Sequence, residues 1–321
     1  KEMRLDELKE PKYFCGPGSY TLELKNVQPL RPGDESVSEV PNIRENFSVT
    51  DKADGLRKLL YVAVNGKVYL ITMNMAVEFT GVKVADESLW NTLLDGEHII
   101  HGKDGGFLNR YAAFDVYFLN GRNVRSLPFV PNDVADSRGA KSSEARIVIL
   151  EKLMKGLNSS ASSITGKDAL PLALTKKKFY LGTGEIGVFG ACKDILQQIG
   201  DGLFPYHTDG LIFTPIHLGV GADEVGKEGP LTKSTWKYSF KWKPAEENTI
   251  DFLVTTQKDK SGMPKISNIF KNGMDTSADN QVLQYKSYIL RCGFDERRHG
   301  FLNPCQMVLE GEVPESRTSD D

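Results

Sequence analysis

Paired cysteines, membrane-length apolar runs and a strong net charge are all missing from this sequence of 321 residues. Each absence excludes a class of protein. The four cysteines, Cys15, Cys192, Cys292 and Cys305, form no CxxC pair. That argues against a zinc module and against a disulfide scaffold, and it suits a reducing, cytoplasmic setting. His98 and His101 are neighbours but have no second ligand pair beside them. No run approaches the roughly 18 to 20 apolar residues that span a bilayer, and no signal-peptide pattern opens the chain. Net charge is only −3. Any nucleic-acid contact therefore needs a local basic patch rather than a global field. What is present is an ordinary core-forming composition, 40% hydrophobic and 26% charged, enough for one large domain or two modest ones.

Residues 1–45 are polar and rich in Pro and Gly and read as a lead or linker, with one strand-like piece at Tyr20–Leu24. From Phe47 the texture changes. Leu59–Val64 and Lys67–Thr72 are β-rich runs joined at Asn65-Gly66, a strong hairpin signal. Further strand-like runs lie at Glu97–His101, Tyr111–Leu119, Leu211–Thr214 and Thr235–Trp242. Helical spacing is clearest over Ala140–Leu157 and Ala191–Ile199. Strands in hairpin order with inserted helices predict an α+β fold of mainly antiparallel sheets. The core is expected over 46–244. Short strands after Pro244 (Asn248–Thr255, Tyr285–Cys292, Gln306–Leu309) predict a small β-barrel over 245–321. Asn158–Ser163 reads as a mobile surface insert. A GxGxxG at Gly182–Gly187 lacks the parallel βαβ unit a dinucleotide site requires. Lys176-Lys177-Lys178 reads as a solvated strand entry that is also able to touch phosphates.

The chemistry gathers in five short motifs: Lys52-Ala53-Asp54-Gly55, Leu94-Asp95-Gly96-Glu97, Phe114-Asp115-Val116-Tyr117, Thr208-Asp209-Gly210-Leu211 and Phe240-Lys241-Trp242-Lys243-Pro244. Each alone is cheap, since Asp-Gly is a favoured turn pair anywhere. In this order, at strand edges, they resemble the covalent nucleotidyltransferase superfamily of mRNA guanylyltransferases and ATP-dependent polynucleotide ligases. The resemblance covers about Phe47 to Phe252.

That resemblance implies roles. Lys52 matches the nucleophile that forms a lysyl-GMP phosphoramidate, with Asp54 and Gly55 beside it at the nucleotide. Arg57 matches the arginine that contacts the ribose, and Phe114 the ring that stacks on the base. Glu97 matches an acid serving sugar or metal, and Asp209 the metal-proximal acid, with Mg²⁺ or Mn²⁺ as the cation. Lys241 and Lys243 match the phosphate-contacting lysines. A free lysine titrates near 10.4, so nearby cations, Lys241, Lys243 or a metal, are expected to activate Lys52.

The pattern around Lys241-Trp242-Lys243-Pro244 and Thr208–Pro215 looks like the capping form, similar to modules from cytoplasmic large DNA viruses of the African swine fever virus and giant-virus kind. It implies GTP and 5′-diphosphate RNA as substrates, a C-terminal OB-fold, and triphosphatase and methyltransferase modules in the same polypeptide. The initial Lys1 and the polar tail Glu315–Asp321 fit cuts in a longer chain. The family's final basic motif has no clear match, since Asp295–His299 reads as a solvated loop. A polynucleotide ligase using ATP, and a non-catalytic RNA-binding scaffold, are the competing readings.

Overall fold

The computed structural model describes residues 13–29, 41–131, 144–166, 171–182, 187–232, 234–247, 252–270 and 282–291. The chain divides into two units, Lys1–Glu247 and Asn248–Asp321.

Two sheets build the first unit. Strands β1 (Gly18–Thr21) and β2 (Phe47–Ala53) belong to one. Strands β3 (Leu56–Val62), β4 (Lys67–Thr72), β5 (Val77–Val84), β6 (Thr92–His101), β7 (Phe107–Leu119) and β8 (Arg122–Asn123) follow in the other, with antiparallel pairings throughout. Helix α1 (Arg146–Ser160) leads to β9 (Ala161–Ser163), β10 (Ala173–Lys176) and β11 (Tyr180–Leu181). Helix α2 (Gly187–Gly200) precedes β12 (Thr208–Pro215) and β13 (Thr235–Trp242). The five-stranded sheet runs β1-β13-β12-β2-β11, and the eight-stranded one runs β10-β7-β6-β3-β4-β5-β9 with β8 on β7. Among the described residues only β1·β13 and β10·β7 are parallel, so the α+β, mainly antiparallel expectation holds.

Each helix seals the outer face of one sheet. Ile149, Leu150, Leu153, Met154 and Leu157, spaced three and four apart on α1, pack on Leu60, Val62, Leu70, Val82 and Leu94, the stripe an amphipathic helix presents to a core. Val188, Ala191 and Ile195 of α2 do the same for Val49, Leu211, Phe213 and Phe240. The opposite faces carry polar residues beside a smaller apolar cluster of Phe14, Leu59, Tyr117 and Val220, and a cavity lies where they meet.

The β3–β4 connection is longer than a two-residue hairpin. Gly66 N–H bonds Ala63 O at 2.9 Å and Ala63 N–H bonds Lys67 O at 2.9 Å, with Gly66 at φ +77°. A Cβ there would stand 2.3 Å from Val84 O, which is why the turn ends in glycine.

Two expectations need correction. Asn158–Ser163 is not a loose insert: it finishes α1 and forms β9, which pairs with Val82–Val84 of β5, since short hydroxyl side chains fit an edge strand. Lys177 is not a solvated strand entry, because its side chain is buried. The stretch before residue 46 contributes β1, buried Phe14 and buried Ile43. Of the GxGxxG segment, Gly182 and Gly187 are described, and β11 beside it pairs antiparallel with β2. Among the described residues no parallel βαβ surrounds it.

In the second unit, β14 (Leu253–Thr256) pairs with β17 (Tyr288–Arg291), and β15 (Ile266–Phe270) with β16 (Val282–Lys286), all antiparallel. The expected strand at Gln306–Leu309 and the basic stretch Asp295–His299 lie outside the described residues. Among the described residues no helix is long and apolar enough to cross a membrane.

Candidate active site

Lys52 sits one residue before the end of β2, and Asp54-Gly55 turns the chain into β3. Asp54 N–H bonds His207 O at 2.9 Å, tying the turn to the approach of β12. Gly55 is required by crowding: a Cβ would lie 2.9 Å from both Glu97 Cγ and His98 O. The Lys-x-Asp-Gly motif is thus a strand end pressed against β6. Lys52, Asp54, Gly55, Arg57, Glu97 and Phe114 all line one cavity of about 210 Å³, together with Asp51 and Lys177 from outside the five motifs.

Asp209 reaches Lys52 through a bulge. Between β12 and β2 the register slips between Thr208 and Leu211, so Asp209 and Gly210 together oppose Lys52. Gly210 adopts φ +140°, and a Cβ on it would fall 1.9 Å from Trp242 O. Lys52 Nζ donates to both Asp209 oxygens, at 2.6 and 2.7 Å, and Lys243 Nζ lies 2.7 Å from Asp209 Oδ2. Burial acts to raise the Asp209 pKa, but the hydrogen bonds and charges of Lys243 and Lys52 outweigh it and hold the carboxyl below its usual range. The hydrogen bond to Asp209 raises Lys243. Of the cations expected near Lys52, Lys243 stands beside it, with Asp209 shared between the two. Lys243 stands just past the end of β13, bent back to Asp209. Lys241, exposed, pairs in register with Ile212, a residue of the cavity wall, so it shares that face of the sheet; Trp242 packs on the other.

A second bulge aims the aromatic ring. Opposite β6, Asp95 pairs with Asp115 but Gly96 pairs with Ala113, which leaves Phe114 as the extra residue. It projects into the cavity. Its plane is fixed by Arg57, whose guanidinium lies 5.6 Å from the Phe114 ring centre and 5.2 Å from that of Phe14. Arg57 is itself held by Asp95 through two bonds, at 3.1 and 2.5 Å, and by Pro17 O at 2.8 Å. Asp95, fully buried, also accepts a hydrogen bond from the Tyr117 hydroxyl. Gly96 lies between the two acids because the Tyr111 ring occupies its side-chain space, 2.5 Å from an added Cβ.

Glu97 has no hydrogen bond or ion pair among the described residues. Burial pushes its pKa up to about 7, against the pull of Lys177 and with a push from Asp95. Lys177 ends in the cavity, 4% exposed at its side chain, with Nζ 2.8 Å from Asp51 Oδ2 and donating also to Asp51 O. Burial lowers its pKa, opposed by Asp51. The sequence signal for it is hidden in a run of three lysines, of which Lys176 is exposed. Beneath the cavity, Arg146 and Asp115 form a buried pair at 2.8 Å that braces α1 against β7.

Glu97 yields a pH prediction. An acid whose folded pKa lies above its ordinary value of 4.5 keeps its proton in the native state while the unfolded chain has lost it, so stability falls as pH rises from about 4.5 to 7. Wild type is expected to lose about 1–3 kcal/mol more than Glu97→Gln between pH 5 and pH 8, read by urea unfolding. Equal losses in the two proteins would show Glu97 to be ionised throughout.

As for metal, no cluster of three or more His, Cys, Asp or Glu ligands exists among the described residues. The unpaired, half-buried Glu97 carboxylate does fit a hard cation held by one or two carboxylates plus substrate phosphates. Asp209 is already occupied by two lysines, with which a cation would compete.

The family model for the catalytic domain of mRNA capping enzyme matches residues 27–245, more than half of the chain. A probable mRNA-capping enzyme of Acanthamoeba polyphaga mimivirus is 27% identical over 90% of this chain and 25% of its own length. The mRNA-capping enzyme subunit alpha of Schizosaccharomyces pombe is 28% identical over 76% of this chain and 54% of its own. The mRNA-capping enzyme of African swine fever virus is 25% identical over 68% and 20% respectively. The chain thus spans between a fifth and about half of these relatives. A solved ligase domain from M. tuberculosis aligns over 65% of this chain and 55% of that one at 14% identity and a TM-score of 0.34, a likeness too low to carry an argument. With the matched stretch running from before β2 to just past Lys243 and enclosing every residue of the cavity wall except Pro17 and Ser19, this chain belongs to the mRNA capping enzyme catalytic domain family.

Proposed function

We propose that this chain is an mRNA guanylyltransferase that takes GMP from GTP onto Lys52 and passes it to the 5′-diphosphate end of an RNA. The observation that carries the reading is the meeting of Lys52, Arg57-braced Phe114, Glu97 and Lys177 around one cavity, with Asp209 holding Lys52 at its edge, in a chain of the capping family.

In the first step the Lys52 amine attacks the α-phosphorus of GTP, a P–N bond forms, and the P–O bond to pyrophosphate breaks. The amine gives up a proton, and Asp209, already its hydrogen-bond partner, is placed to receive it. In the second step a β-phosphate oxygen of the RNA diphosphate attacks the same phosphorus, the P–N bond breaks, and the lysine regains a proton. Lys243 and Lys241 lie on the side from which phosphate charge must be met. Mg²⁺ or Mn²⁺, when bound at Glu97, would neutralise phosphate charge.

Base choice follows from Lys177. An ammonium carries three donors; Asp51 takes two, and one is left for a ligand in the cavity. A guanine O6 accepts from it, whereas an adenine amino group would set donor against donor, a mismatch costing about 10²-fold or more where polar groups are buried. Lys177→Met is expected to lower the ratio of GTP to ATP labelling by that order, a ratio in which the destabilisation from leaving buried Asp51 unpaired cancels.

We take the second unit as the OB-fold module, the domain limits as 46–244 and 245–321, and the setting as cytoplasmic. Triphosphatase and methyltransferase modules in the same polypeptide are the expected partners, consistent with the much greater length of the viral relatives. The testing experiment incubates the protein with Mg²⁺ and α-³²P-labelled GTP or ATP and follows label through denaturing electrophoresis. Label from GTP alone supports the proposal, label from ATP alone moves the chain to the ligases, and label from neither leaves a binding scaffold.

A further inference from the structure

One surface lies outside the cavity yet on the same sheet face. Along β3, Arg57, Leu59 and Tyr61 share a side, because side chains alternate along a strand. Their register partners on β6 are Glu97, Asp95 and Leu93, so this is the face that carries the cavity acids. Tyr61 pairs with Tyr69 on β4, and Tyr69 with Phe79 on β5. Three aromatic rings thus form one cross-strand row. Tyr69 and Phe79 have ring centres 5.3 Å apart, and Phe79 is 42% exposed. Lys67 reaches over Phe79 at 5.6 Å from its centre, and Lys83, exposed between the fully buried Val82 and Val84, is the register partner of Lys67. Neither lysine has an acidic partner among the described residues, and no Asp or Glu shares that face of β4 and β5.

Open aromatic faces interleaved with unpaired cations are what a single-stranded nucleic acid requires: π-faces for its bases and ammonium groups for its phosphates. In a chain of net charge −3 such contact has to be local. Between row and cavity, Phe14 and Val220 pack on Leu59 as a wall. Tyr61 lies about 13 Å along β3 from Arg57, at ~3.3 Å per residue, so the row meets nucleotides downstream of the reacting end.

We propose that the Tyr61–Tyr69–Phe79 row, with Lys67 and Lys83, is a docking surface for single-stranded RNA, engaging the body of the acceptor strand beyond its 5′ end. The acceptor role rests on the guanylyltransferase reading; the binding itself does not.

Two variants of the full chain test it, Tyr69→Ser with Phe79→Ser and Lys67→Gln with Lys83→Gln. The probe is a mixed-sequence 20-nucleotide RNA with a 3′ fluorophore, read by anisotropy. The ring variant is expected to bind about 10-fold or more weakly. The lysine variant, which touches no core residue, should lower the slope of log Kd against log salt by about 1.4, at ~0.7 per phosphate contact. Lysyl-GMP formation is unchanged in both, and KM for transfer rises for a 20-nucleotide 5′-diphosphate RNA but not for a trinucleotide. Wild-type affinity and salt slope in both variants overturn the surface. So does unchanged RNA binding with altered self-association by sedimentation, which makes the row a protein interface. A wild type that forms no lysyl-GMP but shows the binding losses on mutation sinks the guanylyltransferase reading and leaves the surface standing.

Discussion

Lys52→Ala is expected to take up no label from α-³²P-GTP, a loss of at least about 10⁴-fold, while folding as wild type does. The loss is total because a covalent route has no substitute once its nucleophile is gone. The fold survives because the Lys52 side chain is 22% exposed and its one partner, Asp209, keeps Lys243 at 2.7 Å. Removing one partly exposed ion pair costs about 1 kcal/mol or less. Lys52→Arg sharpens the test. A guanidinium can still satisfy Asp209, so the local charge balance is kept, but it never sheds its proton and cannot attack phosphorus. Both variants silent, with unchanged urea midpoints, assign the label to the Lys52 nitrogen. Label persisting in Lys52→Ala would place the covalent bond on another residue and remove the basis of the mechanism.

Much of this arrangement is legible in the order of residues alone. The antiparallel strands show alternation strong enough to read, and β13 falls on Thr235–Trp242 as the sequence pattern predicts. The acid-glycine-acid order of Asp95-Gly96-Glu97 announces two carboxylates on one face. What escapes is whatever breaks the period of two. The motif resemblance names Phe114 and Asp209, but not that single-residue bulges bring Phe114 into the cavity and Asp209 onto Lys52, and a bulge changes no residue type. Strict alternation assigns Phe114 to the face opposite Ala113 and Asp115 without showing that it gains a place of its own. Lys177 escapes for a different reason. Three consecutive lysines look solvated as a group, and only the register of β10 against β7, a non-local contact, buries the middle one beside Asp51. The surroundings of Lys52 are hidden by the same cause: the motif order gives Lys243 and Asp209 as separate features, and only the folded strands show that the two lysines share one carboxylate. Asp95 is visible within its motif, yet nothing local says that it, rather than Glu97, holds Arg57.

That last pairing carries the other large effect. Asp95→Asn is expected to destabilise the protein by about 3–5 kcal/mol, because it leaves the Arg57 cation in a buried place without its counter-charge and weakens the acceptor of the Tyr117 hydroxyl. Against a total of roughly 5–15 kcal/mol, much of the population would unfold near physiological temperature, and the urea midpoint should fall accordingly. Lost activity in this variant alone would say nothing of chemistry, so a compensated variant is needed. Asp95→Leu, Arg57→Met and Tyr117→Phe together replace the buried polar network by apolar groups of similar bulk, a change that is often neutral or stabilising. We expect stability to recover by at least about half of the loss. GMP uptake should stay low, because Phe114 no longer rests on the Arg57 plane. Recovery of both would mean that the network holds the fold only and that Phe114 finds its place without it. Recovery of stability alone would assign the lost uptake to the network as a unit, Arg57 and the ring that it supports included.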